Sequence, residues 1–150
     1  MADIVSPEQR SKNMAAIKSK NTRPEVYFRK CLFAKGLRYR IQEKSVPGHP
    51  DIFLRKFNVA VFINGCYWHR HKGCRYAYMP KSRVEFWEKK FSNNQKRDAA
   101  VKETLAGNGI RQMVVWECTI KSMLRDSAIK ERVIGQTMDF MLSDNQFLEL

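Results

Sequence analysis

The sequence predicts an α/β fold in which a small mixed β-sheet is flanked by helices, within a single domain over residues 1–150. The chain has 150 residues, which is the length of one ordinary domain and enough to bury a core without disulfide bonds. Short strand patterns lie between longer helical patterns, and no internal repeat or low-complexity linker interrupts their order. Helices before and after a group of strands are typical of a layered α/β sandwich.

Helix-start signals occur twice near the N-terminus. "SPEQ" at residues 6–9 is a capping box with proline at the first helical position, and it predicts a short basic helix within an N-terminal arm over residues 1–21. "TRPE" at residues 22–25 repeats the signal and predicts a second helix that ends at Gly36.

The second half of the chain carries two further helical patterns. "SRVE" at residues 82–85 is another capping box, and the helix behind it is expected to end at Gly107 or Gly109. The apolar residues of the last segment recur at helical spacing and predict one or two closing helices. These residues are Met123, Leu124, Ile129, Val133, Ile134 and Met138.

Four segments have strand patterns. Residues 37–42 alternate apolar and polar side chains, as in a half-buried strand, and residues 51–54 predict a second strand. Residues 59–63 form an unbroken apolar run, which is typical of a strand buried on both faces. "IRQMVVWEC" at residues 110–118 predicts the fourth strand.

The charge of the chain indicates a polyanionic partner. Lysine and arginine number 28 against 15 aspartate and glutamate residues, so the formal net charge is +13. The basic residues are spread from Arg10 to Arg132 rather than collected in a tail. Nucleic acid is the expected partner, and a basic surface that serves only solubility is the alternative.

The apolar patterning predicts a cytoplasmic protein with no membrane partner. The longest apolar stretch, from Val59 to Ile63, is far shorter than the roughly 20 residues that cross a bilayer. "MADIVSPEQR" at the start has no signal-peptide core. In a reducing compartment the four cysteines are metal ligands or core residues rather than disulfides, and Cys31 has the helical position of a core residue.

Candidate metal ligands are concentrated in "FINGCYWHRHKGC" at residues 62–74. This segment holds Cys66, His69, His71 and Cys74, and Cys118 is a fifth candidate because parallel third and fourth strands would bring it to the same sheet edge as Cys66. A structural zinc site takes four ligands, so one residue is left over. A histidine is the more useful spare, since its charge changes near neutral pH. The residues alone leave open which histidine it is.

Asp51 is a candidate catalytic acid at the start of the second strand. It follows Pro50 directly, and an aspartate after proline is also a common turn residue. A strand that pairs with the cysteine-bearing strand would place this carboxylate near the metal ligands.

Six motifs over roughly residues 10–118 resemble the DNA mismatch endonucleases of very short patch repair in order and spacing. They are "RSKNMAAI", "TRPE", "VPGHPDIF", "VFINGCYWHRH", "FWEKKFSNNQKRD" and "VVWEC". The resemblance implies a restriction-endonuclease-like fold with a structural zinc knuckle. It also implies a monomer that nicks duplex DNA 5′ of the thymine in a T:G mismatch left by deamination of 5-methylcytosine, on the bacterial nucleoid.

The same resemblance assigns the metals and the catalytic groups. It implies that Asp51 ligates catalytic Mg²⁺ together with the backbone carbonyl of Ile63, and that Glu25 reaches the metal through water. It makes His69 the acid or base beside the scissile phosphate. A structural Zn²⁺ is then expected on Cys66, His71, Cys74 and Cys118.

The resemblance also implies how the mismatch is recognised. Tyr67, Trp68 and Trp87 look like the family's aromatic wedge, which enters the base stack at the mismatch, and Met14 resembles its minor-groove counterpart. Unstacking costs least at a mismatch. Lys90 and Asn94 match positions that approach the mismatched pair. The alternative for Trp87 is a helix residue that packs on the core.

Two departures from the family pattern concern the end of the third strand. A relative carries threonine and histidine where this chain has Ile63 and Asn64. A carbonyl ligand does not depend on its side chain, so Ile63 is compatible with metal binding, whereas Asn64 cannot transfer a proton. Lys72-Gly73 also adds one residue between His71 and Cys74 relative to the same protein, a detour that glycine eases.

Two rival functions follow from the same residues. A zinc-stabilised module that binds mismatched DNA without cutting it would use the same knuckle and basic surface. Hydrolysis by the zinc itself would need an open coordination position, and five candidate ligands argue against one. Mismatch-repair proteins are candidate partners besides the T:G duplex.

Overall fold

The computed structural model describes Glu8 and residues 21–150. The predicted first helix, apart from Glu8, and Met14 lie outside the described residues. Four helices are described over residues 21–150: α1 (Arg23–Ala34), α2 (Val84–Gly107), α3 (Glu117–Arg125) and α4 (Ser127–Leu142). Five strands accompany them: β1 (Arg40–Ile41), β2 (Ile52–Leu54), β3 (Val59–Asn64), β4 (Arg111–Trp116) and β5 (Phe147–Glu149).

The predicted small mixed β-sheet is confirmed. The strands lie in the order β1-β2-β3-β4-β5. The first two pairings are antiparallel and the last two are parallel, with Ile63 opposite Val115 in the β3–β4 pair. The parallel β3–β4 pair was expected because both strands lead into candidate metal ligands.

Helices cover both faces of this sheet. One face packs on α1, α3 and α4 through a core that includes Phe28, Val61, Met113 and Ile120. The other face carries a smaller cluster, in which Ala60 and Leu105 bring β3 against α2. Val59, Ala60 and Val61 are fully buried, as an apolar run without alternation predicts. Cys31 is also buried in the core, as its position in α1 predicts.

The capping box that opens α1 is confirmed. The Glu25 backbone N–H donates to Thr22 Oγ1 at 3.4 Å, and the Thr22 backbone N–H donates to Glu25 Oε2 at 3.2 Å. The predicted capping box at residues 82–85 is wrong. The residue before α2 is Arg83, whose φ of 54° is left-handed, so Ser82 is one residue too early to cap the helix.

Three strand predictions need correction. The strand expected over residues 37–42 is only the exposed pair Arg40–Ile41. β4 ends at Trp116, and Cys118 lies in the first turn of α3 rather than in the strand. β5 was not predicted, because its three residues carry no clear alternation; backbone hydrogen bonds between Leu150 and both Val114 and Trp116, each 2.9 Å, hold it beside β4.

Within the part of the chain that the structure describes, every helix is too short or too polar to cross a membrane.

Candidate active site and metal cluster

A groove of about 760 Å³ opens at the end of β3 and gathers most of the predicted site residues. Its walls come from the start of α1, the start of β2, the end of β3 and the loop after it. The predicted residues that line it are Glu25, Asp51, Ile63, Cys66, Tyr67, Trp68, His69 and Cys118. Asn64 lines it as well. Residues far apart in the sequence therefore converge on one surface.

Asp51 is held beside the end of β3. The backbone N–H of Ile63 donates to Asp51 Oδ2 at 2.7 Å. The N–H and C=O of a strand residue point to the same side, so the carbonyl of Ile63 also faces the Asp51 side of β3. A carboxylate and a backbone carbonyl are the hard oxygen donors that Mg²⁺ prefers, so these two residues fit a magnesium site.

The environment of Asp51 favours its neutral form. Burial raises its pKa to about 6; the Ile63 N–H opposes this rise, the negative charge of Glu25 adds to it and His69 opposes it. A cation bound between these groups would offset the burial of the negative charge. A raised carboxyl pKa in a groove is typical of functional sites.

Glu25 is buried at the same end of the groove, with only 1% of its surface exposed. Its carboxylate completes the capping box of α1, accepts from Gln42 Nε2 at 2.7 Å and lies 3.6 Å from the Arg29 guanidinium. These partners hold the side chain in place. Glu25 is therefore a fixed second carboxylate beside Asp51.

His69 is paired with a carboxylate that sequence reasoning did not single out. His69 Nδ1 lies 2.7 Å from Oδ2 of Asp98 on α2. One turn earlier on the same helix, Asn94 Nδ2 donates to the Trp68 carbonyl at 3.1 Å. The signal was present in "FWEKKFSNNQKRD", since Asn94 and Asp98 are four residues apart and share a helix face.

Cys66, His71, Cys74 and Cys118 form the second cluster. Their ligand atoms all lie within 4.8 Å of one another, so this group could hold a metal ion such as zinc. Cys118 Sγ is 3.3 Å from His71 Nδ1, and the Cys118 N–H donates to Cys66 Sγ at 3.4 Å. The cluster therefore links the loop after β3 to the start of α3.

The backbone of Arg70 separates the two histidines. Arg70 has a left-handed φ of 55°, which directs His71 into the cysteine cluster and leaves His69 facing α2. The Arg70 guanidinium donates to the Ala77 carbonyl at 2.7 Å and lies 4.0 Å from the centre of the Phe91 ring. These contacts hold the loop in which His71, and not His69, lies beside the three cysteines.

Burial favours the uncharged forms of the groups in the metal cluster. Burial raises the pKa of Cys66 to about 12 and raises that of Cys118. Burial lowers the pKa of His71, which keeps the imidazole neutral. His71 stacks on Trp116 at 4.2 Å, and Trp116 Nε1 donates to Glu149 on β5 at 2.6 Å. Metal binding must displace the thiol protons, so it is pH-dependent.

The three residues of the predicted wedge lie together. The Tyr67 ring is 5.1 Å from Trp68 and 5.8 Å from Trp87, and Lys90 Nζ lies 5.9 Å from the centre of the Trp68 ring. Trp68 lines the groove, whereas Trp87 is only 7% exposed and packs on Phe91. This packing agrees with the alternative for Trp87, and insertion of Trp87 into DNA stays a prediction.

Fold and site together define a class of protein. Two carboxylates, a backbone carbonyl and a histidine that is paired with Asp98 meet at one groove, and the chain has a net charge of +13; these are the features of a nuclease. A sequence model described as "DNA mismatch endonuclease Vsr" matches residues 2–75.

Three relatives place the chain within that class. The chain is 42% identical over 123 residues to the type II nicking enzyme V.XorIIP of Xanthomonas oryzae pv. oryzae, covering 82% of this chain and 90% of that protein. It is 43% identical over 122 residues to the type II nicking enzyme V.NmeAIP of Neisseria meningitidis, covering 81% and 86%. It is 37% identical over 135 residues to the DNA mismatch endonuclease Vsr of Escherichia coli, covering 89% and 86%. The chain belongs to the Vsr family of DNA endonucleases.

Proposed function

We propose that the protein is a magnesium-dependent endonuclease that recognises T:G mismatches in duplex DNA and nicks the strand 5′ of the mismatched thymine. By this proposal the nick begins very short patch repair of deaminated 5-methylcytosine, and the fold is of the restriction-endonuclease type. The observation that carries the proposal is the groove in which Asp51, bound to the Ile63 N–H, lies with Glu25 and His69, whose ring is paired with Asp98.

In this account the cleavage site is built from Asp51, Ile63 and Glu25. The Asp51 carboxylate and the Ile63 carbonyl would hold Mg²⁺, and Glu25 would contact it through water. When bound, Mg²⁺ activates water and neutralises charge on the phosphate and the departing oxygen. Asn64 lines the groove but transfers no proton, which leaves His69 as the acid or base.

His69 has the geometry for proton transfer. Its Nδ1 is held by Asp98 at 2.7 Å, which orients the ring and leaves Nε2 to exchange a proton with the attacking water or the departing oxygen. We therefore assign His69 to the reaction and Asp98 to the positioning of its ring.

The mismatch is recognised in this account by aromatic stacking beside the cleavage site. Tyr67 and Trp68 line the groove, Trp87 supports them from α2, and Lys90 and Asn94 lie on the same helix. Met14 is proposed to act from the N-terminal arm over residues 1–21. Stacking opens the duplex more readily at a mismatch than at a matched step.

Zinc is proposed to stabilise the fold rather than to cleave DNA. Thiolate and imidazole ligands on Cys66, His71, Cys74 and Cys118 suit Zn²⁺, and four protein ligands leave no open position for water. This argues against the reading in which zinc itself is the catalyst.

Partners and location follow from the same proposal. The T:G duplex is the substrate, mismatch-repair proteins are candidate partners, and the enzyme acts as a monomer on the bacterial nucleoid. Incubation with a panel of T:G duplexes in varied flanking sequences, with Mg²⁺ or with EDTA, tests the activity. Binding without nicking in every context would favour the non-catalytic mismatch-binding module.

We expect His69→Ala to lower nicking by about 10²- to 10⁴-fold, the usual contribution of a general acid or base. Bound zinc should be unchanged, because His69 lies outside the cysteine cluster. Asp98→Asn should lower the rate less, since it alters only the group that orients the ring. Zinc analysis and nicking rates from pH 5 to 9 check both; loss of zinc in His69→Ala would make His69 the ligand.

We expect Trp68→Ala to weaken binding to a T:G duplex far more than to the matched duplex, by about 1 to 3 kcal/mol, the usual value of one stacked base. The salt dependence of binding should barely change, because no phosphate contact is lost. Affinities for both duplexes over a salt series measure this. Equal losses on the two duplexes would mark Trp68 as a packing residue.

A further inference from the structure

Three cationic side chains gather around one tyrosine beside the metal cluster. Arg75 donates from a guanidinium nitrogen to the Tyr76 hydroxyl at 2.9 Å, and Lys121 Nζ lies 4.3 Å from the centre of the Tyr76 ring. Arg125 is one turn beyond Lys121 on α3, and its Nε lies 3.5 Å from the Lys121 carbonyl. These residues are called the Tyr76 patch.

The metal cluster fixes the two halves of the Tyr76 patch relative to each other. Arg75 directly follows Cys74, and Lys121 lies on α3 one turn after Cys118. The patch therefore combines a loop residue with a helix that is distant in sequence. The cysteine cluster therefore does more than stabilise the fold, because it also holds Arg75 and Lys121 near each other.

The charge of the patch is only partly neutralised. A Glu117 carboxylate oxygen lies 3.4 Å from Lys121 Nζ. Among the described residues, Glu117 is the only carboxylate that forms an ion pair with Arg75, Lys121 or Arg125. Like charges held close together are unfavourable unless an anion joins them. A phosphate suits the patch, since arginine offers paired N–H donors and lysine offers a point charge.

Two members of the Tyr76 patch line the same groove as the cleavage site. Tyr76 and Lys121 line it together with Asp51 and His69. A DNA strand with one phosphate at Asp51 would therefore continue toward the metal cluster. Phosphate contacts of this kind set the register of a protein on duplex DNA without reading its sequence.

We propose that Arg75, Lys121 and Arg125 bind a backbone phosphate of the substrate DNA at the metal-cluster end of the groove, away from the nicked bond. The contact fixes the register in which the aromatic residues meet the mismatch. This inference rests on the proposed DNA substrate and adds a second anchoring point to it.

The test is DNA affinity in EDTA, so that no strand is cut, over a series of KCl concentrations. Lys121→Ala is expected to make the slope of log affinity against log salt shallower by about 0.9, the value for one phosphate contact, and to do so equally for T:G and matched duplexes. Lys121→Arg should restore the slope. Lys130→Ala is the matched control, because Lys130 also lies near a tyrosine ring, 5.9 Å from Tyr27, but on α4 and outside the groove.

A scan of single uncharged methylphosphonate linkages locates the phosphate. At one linkage, which is not the nicked bond, the methylphosphonate should weaken DNA binding by the unmodified protein. The same linkage should leave DNA binding by Lys121→Ala unchanged. If Lys121→Ala loses zinc, Arg125→Ala replaces it, because Arg125 lies two turns beyond Cys118 on α3. The same change in salt slope is expected for Arg125→Ala.

Three results would overturn the inference: an unchanged salt slope in these variants, a loss confined to the T:G duplex, or no methylphosphonate position that distinguishes Lys121→Ala from the unmodified protein. Failure of the unmodified protein to bind either duplex would instead contradict the proposed function itself. If the Tyr76 patch binds an acidic protein instead of DNA, Lys121→Ala and Arg125→Ala would bind DNA as the unmodified protein does.

Discussion

Asp51→Asn is expected to abolish nicking of a T:G duplex, with a fall of at least roughly 10³-fold. A metal ion contributes several kcal/mol of transition-state stabilisation, and each 1.36 kcal/mol is a factor of ten in rate. Asparagine keeps the shape of Asp51 and an oxygen for the Ile63 N–H but offers no negative charge to Mg²⁺. DNA binding should persist, because Asp51 carries no positive charge to a phosphate.

The stability of the metal-free protein separates this effect from unfolding. The pKa of Asp51 is raised to about 6, so its ionised form is less favourable in the folded than in the unfolded chain. The wild-type protein therefore loses stability as pH rises from about 4 to 6, and Asp51→Asn removes that loss. At pH 7 the variant should melt no lower than the wild type.

Nicking rates, melting curves in EDTA and DNA affinity measure these three properties. Asp144→Asn is the matched control, because Asp144 is exposed after α4 and outside the groove. A variant Asp51→Asn that nicks at the wild-type rate would remove Asp51 from the proposed cleavage site.

Among the substitutions proposed for this protein, Cys118→Ala is expected to cause the largest loss of stability. Cys118 closes the four-residue cluster between the loop after β3 and the start of α3. Structural zinc sites contribute apparent binding energies of about 10 to 16 kcal/mol, so the loss of one ligand removes much of what holds these segments. The variant should bind less zinc and melt at a much lower temperature.

Cys31→Ala provides the matched control for this prediction. Cys31 is also buried, at 8% exposure, but packs in the core between α1 and the sheet. Its replacement should cost about 1 kcal/mol and leave zinc content unchanged. Full zinc content and an unchanged melting temperature in Cys118→Ala would refute the ligand assignment.

Strong local signals in the sequence predicted much of the fold. The capping box at Thr22 specifies the start of α1 because its hydrogen bonds lie within four residues. The unbroken apolar run of β3 indicates burial on both faces, which the sheet order confirms. The sequence predictions failed where tertiary structure overrides a local signal. The left-handed backbone of Arg83 displaces the expected cap at Ser82. β5 depends on its pairing with β4, which its own residues do not predict.

The candidate site was predictable in its composition but not in its pairings. The cysteines and histidines of residues 62–74 predict a metal site, but the choice between the histidines depends on the fold of the loop, which brings His71 and not His69 beside the cysteines. Asp98 carried only the weak signal of sharing a helix face with Asn94, since an aspartate on a long helix is ordinary. Its role emerges from the distance to His69, which depends on how α2 crosses the loop.

One measurement tests the central claim most directly. A duplex with a single T:G pair is labelled at the 5′ end of either strand and incubated with the wild-type protein or Asp51→Asn, in Mg²⁺ or EDTA, beside the same duplex with a T:A pair. The account predicts one product, a nick 5′ of the mismatched thymine, formed only from the T:G duplex by the wild-type protein in Mg²⁺. Equal cutting of the T:A duplex, or tight binding to T:G with both strands intact, would contradict it.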